Sequence, residues 1–218
     1  MGRTVVTFLS FMAMSLGNGL AQGRDSPPGW RWHLERGSQR ATGAVQDSTW
    51  RFDQMPPGWH ITTGPAGLLY PTTERASGVF SLVADFVVFP ETTDSGFGLF
   101  VGGSNVETDS SSYVAALLRR DGAVSVIHNA RGTATALVPW IRHSAIKPHT
   151  GSGTVTNRLR VNASADSIRV FVNDSAVARL ALASAVTSGT FGFKVGEGVN
   201  LHLTILDYTR HMAPARSK

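Results

Sequence analysis

Asn157-Arg158-Leu159-Arg160-Val161, followed after a short gap by Ile168-Arg169-Val170-Phe171-Val172-Asn173-Asp174, is the stretch that decides the fold. Arginine alternates with aliphatic residues in both pieces. A period of two sends one set of side chains to water and the other to a core, which describes a strand in a sheet with one wet face. Asn173-Asp174 makes the turn into the next run, Ala176 to Leu180.

The same alternation extends outward in both directions. Toward the C-terminus lie Thr190 to Val195 and Leu201 to Tyr208. Toward the N-terminus, Gly96 to Val101, Tyr113 to Arg119 and Ala123 to Asn129 read as a meander, the last two strands joined at Arg120-Asp121-Gly122, where Asp-Gly signals a hairpin. Leu137-Val138-Pro139-Trp140 follows, then a single helical turn expected over Ile141 to Ile146 and a polar loop over Lys147 to Thr156. Earlier still are Val79 to Phe89, Trp59-His60-Ile61, Trp50-Arg51-Phe52 and Trp30 to Leu34, with Pro56-Pro57-Gly58 as punctuation. About a dozen short strands at a spacing of roughly 8–12 residues, with no longer helical period, make the chain all-β, a sandwich or barrel. A parallel α/β sheet is excluded, and no internal repeat suggests a propeller or solenoid.

Composition agrees. Of 218 residues, 42% are hydrophobic and 16% charged, so the polar content is mostly uncharged and wholesale disorder is excluded. Lys+Arg exceeds Asp+Glu by 20 − 15 = +5, with the positive residues dispersed along the chain, which is no nucleic-acid footprint. Cysteine is absent, which removes thiol nucleophiles and Cys-ligated metals.

Met1-Gly2-Arg3, the apolar run Val5 to Leu16 and the small residues Gly19-Leu20-Ala21 read as a signal peptide over residues 1–21, cleaved after Ala21. A secreted or periplasmic protein without membrane insertion is expected, because no apolar run approaches the roughly 20 residues that span a bilayer. Seventeen arginines against three lysines lean toward a bacterial source. The domain reading continues with a segment at 22–47 that either adds a strand or lies on the surface, a β-sandwich domain at 48–210 and a tail at 211–218.

Met55-Pro56-Pro57-Gly58-Trp59-His60-Ile61-Thr62-Thr63-Gly64-Pro65, then Leu69-Tyr70 and Gly78-Val79-Phe80 to Phe86, resemble the opening of concanavalin A-like lectin/glucanase jelly-rolls, especially bacterial 3-keto-disaccharide hydrolase-like domains. Gly96 to Gly103 resembles their central glycine-rich strand. The decisive stretch resembles their "N-x-L-x-V, then I-x-V-x-V-N-G" pair, and Gly189 to Tyr208 their closing hairpin. The resemblance implies a two-sheet antiparallel β-sandwich. It is silent on activity, because that fold carries lectins, carbohydrate-binding modules, laminin G-like domains and glycosidases alike.

Chemistry is sparse. A retaining glucanase of this fold would show Glu-x-Asp-x-x-Glu on one strand, placing two carboxyl groups about 5–5.5 Å apart. The five glutamates, Glu35, Glu74, Glu91, Glu107 and Glu197, are instead far apart in sequence. No two of the seven histidines share a spacing that would aim both at one metal, and no nucleophile elbow is present. No catalytic residue, metal or cofactor is therefore assigned; a structural calcium would require an acidic rim that the sequence does not display. Gly96-Phe97-Gly98-Leu99-Phe100-Val101-Gly102 read as a strand has one bulky and one nearly bare face, suited to close approach by a flat ligand or to tight packing on a partner sheet.

Aromatic side chains stack on sugar rings while neighbouring polar groups read the hydroxyls, although a sandwich core also buries tryptophan. Trp59 with His60, and Trp140 with His143, are the expected edges of a ligand site, with Tyr113, Arg119 and His128 lining the sheet between them. For Arg119 the competing reading is a strand end in solvent, and for His128 an ordinary strand residue. The expected function is an exported, monomeric, carbohydrate-binding module. The alternatives are a glycoside-processing hydrolase of the 3-keto-disaccharide type and a laminin G-like module with a protein partner.

Overall fold

The computed structural model describes residues 26–35, 50–90, 93–164, 166–182, 187–204 and 206–212. The expected leader at 1–21 lies outside them. So do most of residues 22–47 and the tail beyond residue 212.

Two antiparallel sheets contain every strand among the described residues, and none of these residues is helical. The first has seven strands in the order β1 (Trp30–Leu34), β4 (Gly67–Pro71), β13 (Thr190–Val195), β6 (Phe97–Ser104), β7 (Ser112–Leu118), β8 (Ala123–Ala130) and β9 (Thr133–Arg142). The second runs β12 (Ser175–Ala181), β11 (Ser167–Val172), β10 (Val155–Ala163), β5 (Val79–Val88), β14 (Asn200–Leu203), β3 (Trp59–Thr62) and β2 (Arg51–Gln54). β15 (Asp207–His211) pairs with the first half of β5, and β14 with its second half. The sheets do not close into a barrel; the expected two-sheet β-sandwich is the observed one.

Alternation builds the core. Phe80, Leu82, Ala84, Phe86 and Val88 of β5 all point inward and are buried, as are Leu159 and Val161 of β10 and Ile168, Val170 and Val172 of β11. From the facing sheet, Phe97, Leu99 and Val101 of β6 and Val124 and Val126 of β8 complete the layer. Trp50 is wholly buried, stacks on Trp32, and donates its indole N–H to Pro65 O at 2.8 Å.

Two local readings change, and one strand is added. The helical turn expected over Ile141 to Ile146 is instead the end of β9 and a tight turn closed by Ile146 N–H to His143 O at 3.0 Å. Leu201 to Tyr208 is two strands, interrupted where Thr204 Oγ1 accepts from Asp85 N. Gly67–Pro71 is a full strand that shows no alternation because it is buried on both faces. On its second face, Leu68 and Tyr70 pack in a smaller cluster with Phe100, Val106, Tyr113, Ala115 and Leu117. Arginines dispersed in sequence are also not dispersed in space: Arg158, Arg160, Arg169 and Arg179 gather on the outer face of β10, β11 and β12.

Candidate functional site

The outer face of the seven-stranded sheet carries a groove of about 450 Å³. Its position follows from the glycine-rich strand. Phe97, Leu99 and Val101 enter the core, while the opposite face, bare but for Phe100, looks toward the groove, which Gly96 lines. Leu117 and Ile127 supply apolar surface from β7 and β8.

At the centre stands a hydrogen-bonded trio drawn from three distant segments. Lys194 Nζ lies 3.1 Å from Glu35 Oε2, and the Tyr113 hydroxyl donates to Glu35 Oε1. The Tyr113 ring packs on Phe100 at 5.5 Å between centroids, which aims its hydroxyl across the sheet. Burial, and next the Glu35 carboxylate, raise the Tyr113 pKa well above the usual phenol range, so Tyr113 is a fixed donor. Both Glu35 oxygens are thereby held in fixed orientation at the groove wall.

The loop over residues 105–111 supplies the next wall. Asp109 lines the groove with its Oδ1 3.6 Å from His33 Nε2, and Asn129 Nδ2 donates to Ser111 O at 2.8 Å. The Arg131-Gly132 turn closes on this loop through Gly132 N–H to Ser111 O at 2.9 Å. Gly132 has φ +82, and a side chain there would strike Asp109 O at 2.3 Å.

Trp140 packs against the groove's lining residue Gly96. A β-bulge places Pro139 and Trp140 opposite the single residue Ser125, whose hydroxyl donates to Val138 O at 2.8 Å. The extra residue brings Trp140 over the bare glycine: a Cβ on Gly96 would meet the ring at 2.8 Å. Arg119 lies over that ring at 5.0 Å and donates from Nε and Nη2 to Asp121 at 2.9 and 2.6 Å. The Arg119 fork, with Arg142 as a smaller influence, holds the Asp121 carboxyl down at about 2. Arg119 therefore positions the tryptophan and does not end loose in solvent. Trp140 remains 39% exposed.

The structure thus brings Tyr113, Arg119 and Trp140 to one face and separates the other expected residues from them. His128 pairs in register with the core residue Val114, so it points away from the face that carries Tyr113. His143 accepts Ala145 N–H at 3.1 Å through Nδ1 and is occupied in its turn. Trp59 lies on the other sheet, half-buried against the core beside a cleft of about 360 Å³ shared with Trp30 and Phe193. His60 is on the outer face of that sheet, edge-on to Phe89 at 4.7 Å and in register with His202.

Glu35, Asp109, Asn129, Lys194 and Glu197 were not singled out as ligand-binding residues by sequence reasoning. One signal was present: Lys194 is the lone charge in Thr190-Phe191-Gly192-Phe193-Lys194-Val195, and a charge on a buried strand requires a partner. The carboxylates Glu35, Asp109 and Glu197, far apart in sequence, line one groove. Among the described residues no three His, Asp or Glu side chains are arranged to hold a metal ion.

No family model and no curated protein sequence matches the chain. Solved structures do. The carbohydrate binding module CBM66 from Bacillus subtilis superposes with a TM-score of 0.62 at 12% identity, covering 84% of this chain and 96% of that one. The exoplasmic/lumenal domain of VIP36, in a Ca²⁺- and mannose-bound form, gives 0.60 at 12% identity over 88% and 87%. A putative glycosyl hydrolase from Parabacteroides distasonis gives 0.51 at 12% identity over 83% and 98%. The chain has the fold of the concanavalin A-like jelly-roll lectins.

Proposed function

We propose that this chain binds a carbohydrate in the groove on the outer face of the seven-stranded sheet. The observation that carries the reading is the oriented trio Lys194, Glu35 and Tyr113 on a groove whose lining residue Gly96 packs against the Trp140 ring. A sugar needs fixed acceptors and donors for its hydroxyls and an apolar surface for its C–H face. Glu35, Asp109 and Asn129 supply the first; Leu117 and Ile127 supply the second, with the exposed part of Trp140 beside Gly96. Three carboxylates against one ammonium favour a neutral sugar over an acidic one. That the fold is shared with a carbohydrate binding module and a mannose-bound lumenal domain supports the reading. The proposed setting is outside the cytoplasm, with residues 1–21 as the leader, and the proposed unit is a monomer.

A second reading, glycoside hydrolysis, is favoured by the convergence of Glu35, Asp109 and Glu197 on one groove, since such chemistry needs two carboxyl groups facing one substrate. One experiment addresses both. A glycan array probed with the purified chain, with mass spectrometry of each bound sugar after incubation, is expected to show binding without turnover. Binding lost in Tyr113→Phe and Trp140→Ala places the sugar in the groove. Turnover abolished by Glu35→Gln would replace the binding reading with the hydrolytic one, and silence on the array would remove both.

A further inference from the structure

We infer that the outer face of the second sheet, at β10, β11 and β12, is a separate docking surface for an anionic polysaccharide. Arg169 of β11 lies directly opposite Arg179 of β12, and in the next row Arg160 of β10 lies opposite Phe171. The Arg160 guanidinium sits over the Phe171 ring at 4.3 Å. Arg169, Phe171 and Arg179 line a shallow depression of about 460 Å³.

The arrangement is costly without a partner. Like charges directly opposite on neighbouring strands repel, with Cβ atoms only about 4.5–5.5 Å apart. The acidic groups nearby do not cancel them. Asp85 is held bidentately by Arg158 at 2.7 and 2.8 Å. Asp174 lies 3.8 Å from Arg160 and is largely exposed, and the field of Arg179 reaches Asp166, whose carboxylate already accepts from Ser164 and Ser167. Arg169 and Arg179 form no ion pair among the described residues, and Arg160 Nε is buried without a hydrogen-bond partner. An oxyanion placed between the Arg169 and Arg179 forks would relieve their repulsion and occupy their donors.

Charge and size select the partner. Sulfate and carboxylate groups match planar guanidinium forks, and glycan chains carry them at a spacing suited to a patch three strands wide, about 10 Å at the usual strand separation. A nucleic-acid duplex would require a longer basic stripe. The acidic groove on the other sheet disfavours such a chain, so the two surfaces sort ligands by charge.

The test is isothermal titration of the full chain with heparin as a sulfated probe and polygalacturonate as a carboxylated one, beside duplex DNA, at about 50 and about 200 mM salt. Binding of one or both glycans that weakens with salt is expected. It should fall by at least roughly tenfold for each arginine removed in Arg169→Gln and Arg179→Gln, and stay unchanged in Trp140→Ala. A folding control accompanies it: relieving the repulsion should raise the thermal midpoint of the double variant, while heparin should raise only that of the parent chain. Glycan binding indifferent to both arginines, absence of glycan binding, or equally tight DNA binding with the same arginine dependence would overturn the assignment. Loss of glycan-array binding in the groove variants, with heparin binding intact, would leave this surface standing apart from the groove.

Discussion

Asn173 Nδ2 donates to Asn157 Oδ1 at 2.8 Å, joining the two ends of the stretch whose alternation reveals the fold. Asn157 is buried and holds Lys147 from both sides: its Oδ1 accepts the Lys147 N–H at 2.9 Å, and its Nδ2 donates to the Lys147 carbonyl at 2.9 Å. Asn173, with its φ at 47°, also donates to Ala145 O at 2.8 Å and accepts Arg158 N–H at 3.0 Å. Asn157→Ala should therefore leave several part-buried polar groups at the junction without partners at once and cost about 2–4 kcal/mol. Urea unfolding of the variant would measure it; a cost under about 0.5 kcal/mol would show that the junction is not structural.

The groove trio is asymmetric. The Lys194 side chain is 9% exposed and that of Glu35 27%. Glu35→Ala leaves a buried ammonium and a buried phenol without their shared acceptor, and should cost about 3 kcal/mol. Lys194→Met leaves the carboxylate nearer water and still bonded to Tyr113, and should cost roughly half as much. Urea midpoints of the two variants decide it, with equal losses counting against the argument.

Trp140 is partly exposed and borders the groove, so its roles in stability and binding should separate. Trp140→Ala should change stability by less than about 1 kcal/mol and weaken the glycan found on the array roughly tenfold. Gly96→Ala should weaken binding similarly by pushing the ring off its glycine, with a shift in tryptophan emission as the signature. An unchanged emission spectrum in Gly96→Ala would contradict the close contact.

His202 and His60 face each other across β14 and β3, with Asp53 next in the row. Burial lowers the His202 pKa first; a hydrogen bond with Pro57 opposes this, and His60 lowers it further. A folded value below the usual 6.5 means that the unfolded chain binds the extra proton first. This contribution is fully present above about pH 6.5 and is lost as pH falls from there through the folded value. Denaturant midpoints between about pH 7 and 5.5 should decline in the parent chain and decline less in His202→Gln. Parallel slopes would assign the pH dependence elsewhere.

The sequence by itself determined the strand character of most segments, because a period of two and a turn residue are local properties. Asp121-Gly122 and Asn173-Asp174 stand where hairpins close, with positive φ at Gly122, Asn173 and Asp174. It also distinguished the nearly bare face of β6, since alternation of glycine with Phe97, Leu99 and Val101 needs no knowledge of neighbours, although Phe100 on that face turned out to pack on Tyr113. Gly67–Pro71 was only partly legible, because a strand buried on both faces shows no alternation.

Only the tertiary structure decided the site. Strand order brought Glu35, Lys194 and Tyr113 together from segments 78 and more residues apart, a long-range pairing that no spacing rule encodes. Register decided which expected residues belong there: pairing with Val114 turns His128 away from Tyr113, and the bulge at Ser125 brings Trp140 over Gly96. A shift of one residue reverses the face of a side chain, so faces are set by pairing partners and bulges, which are properties of the assembled sheet.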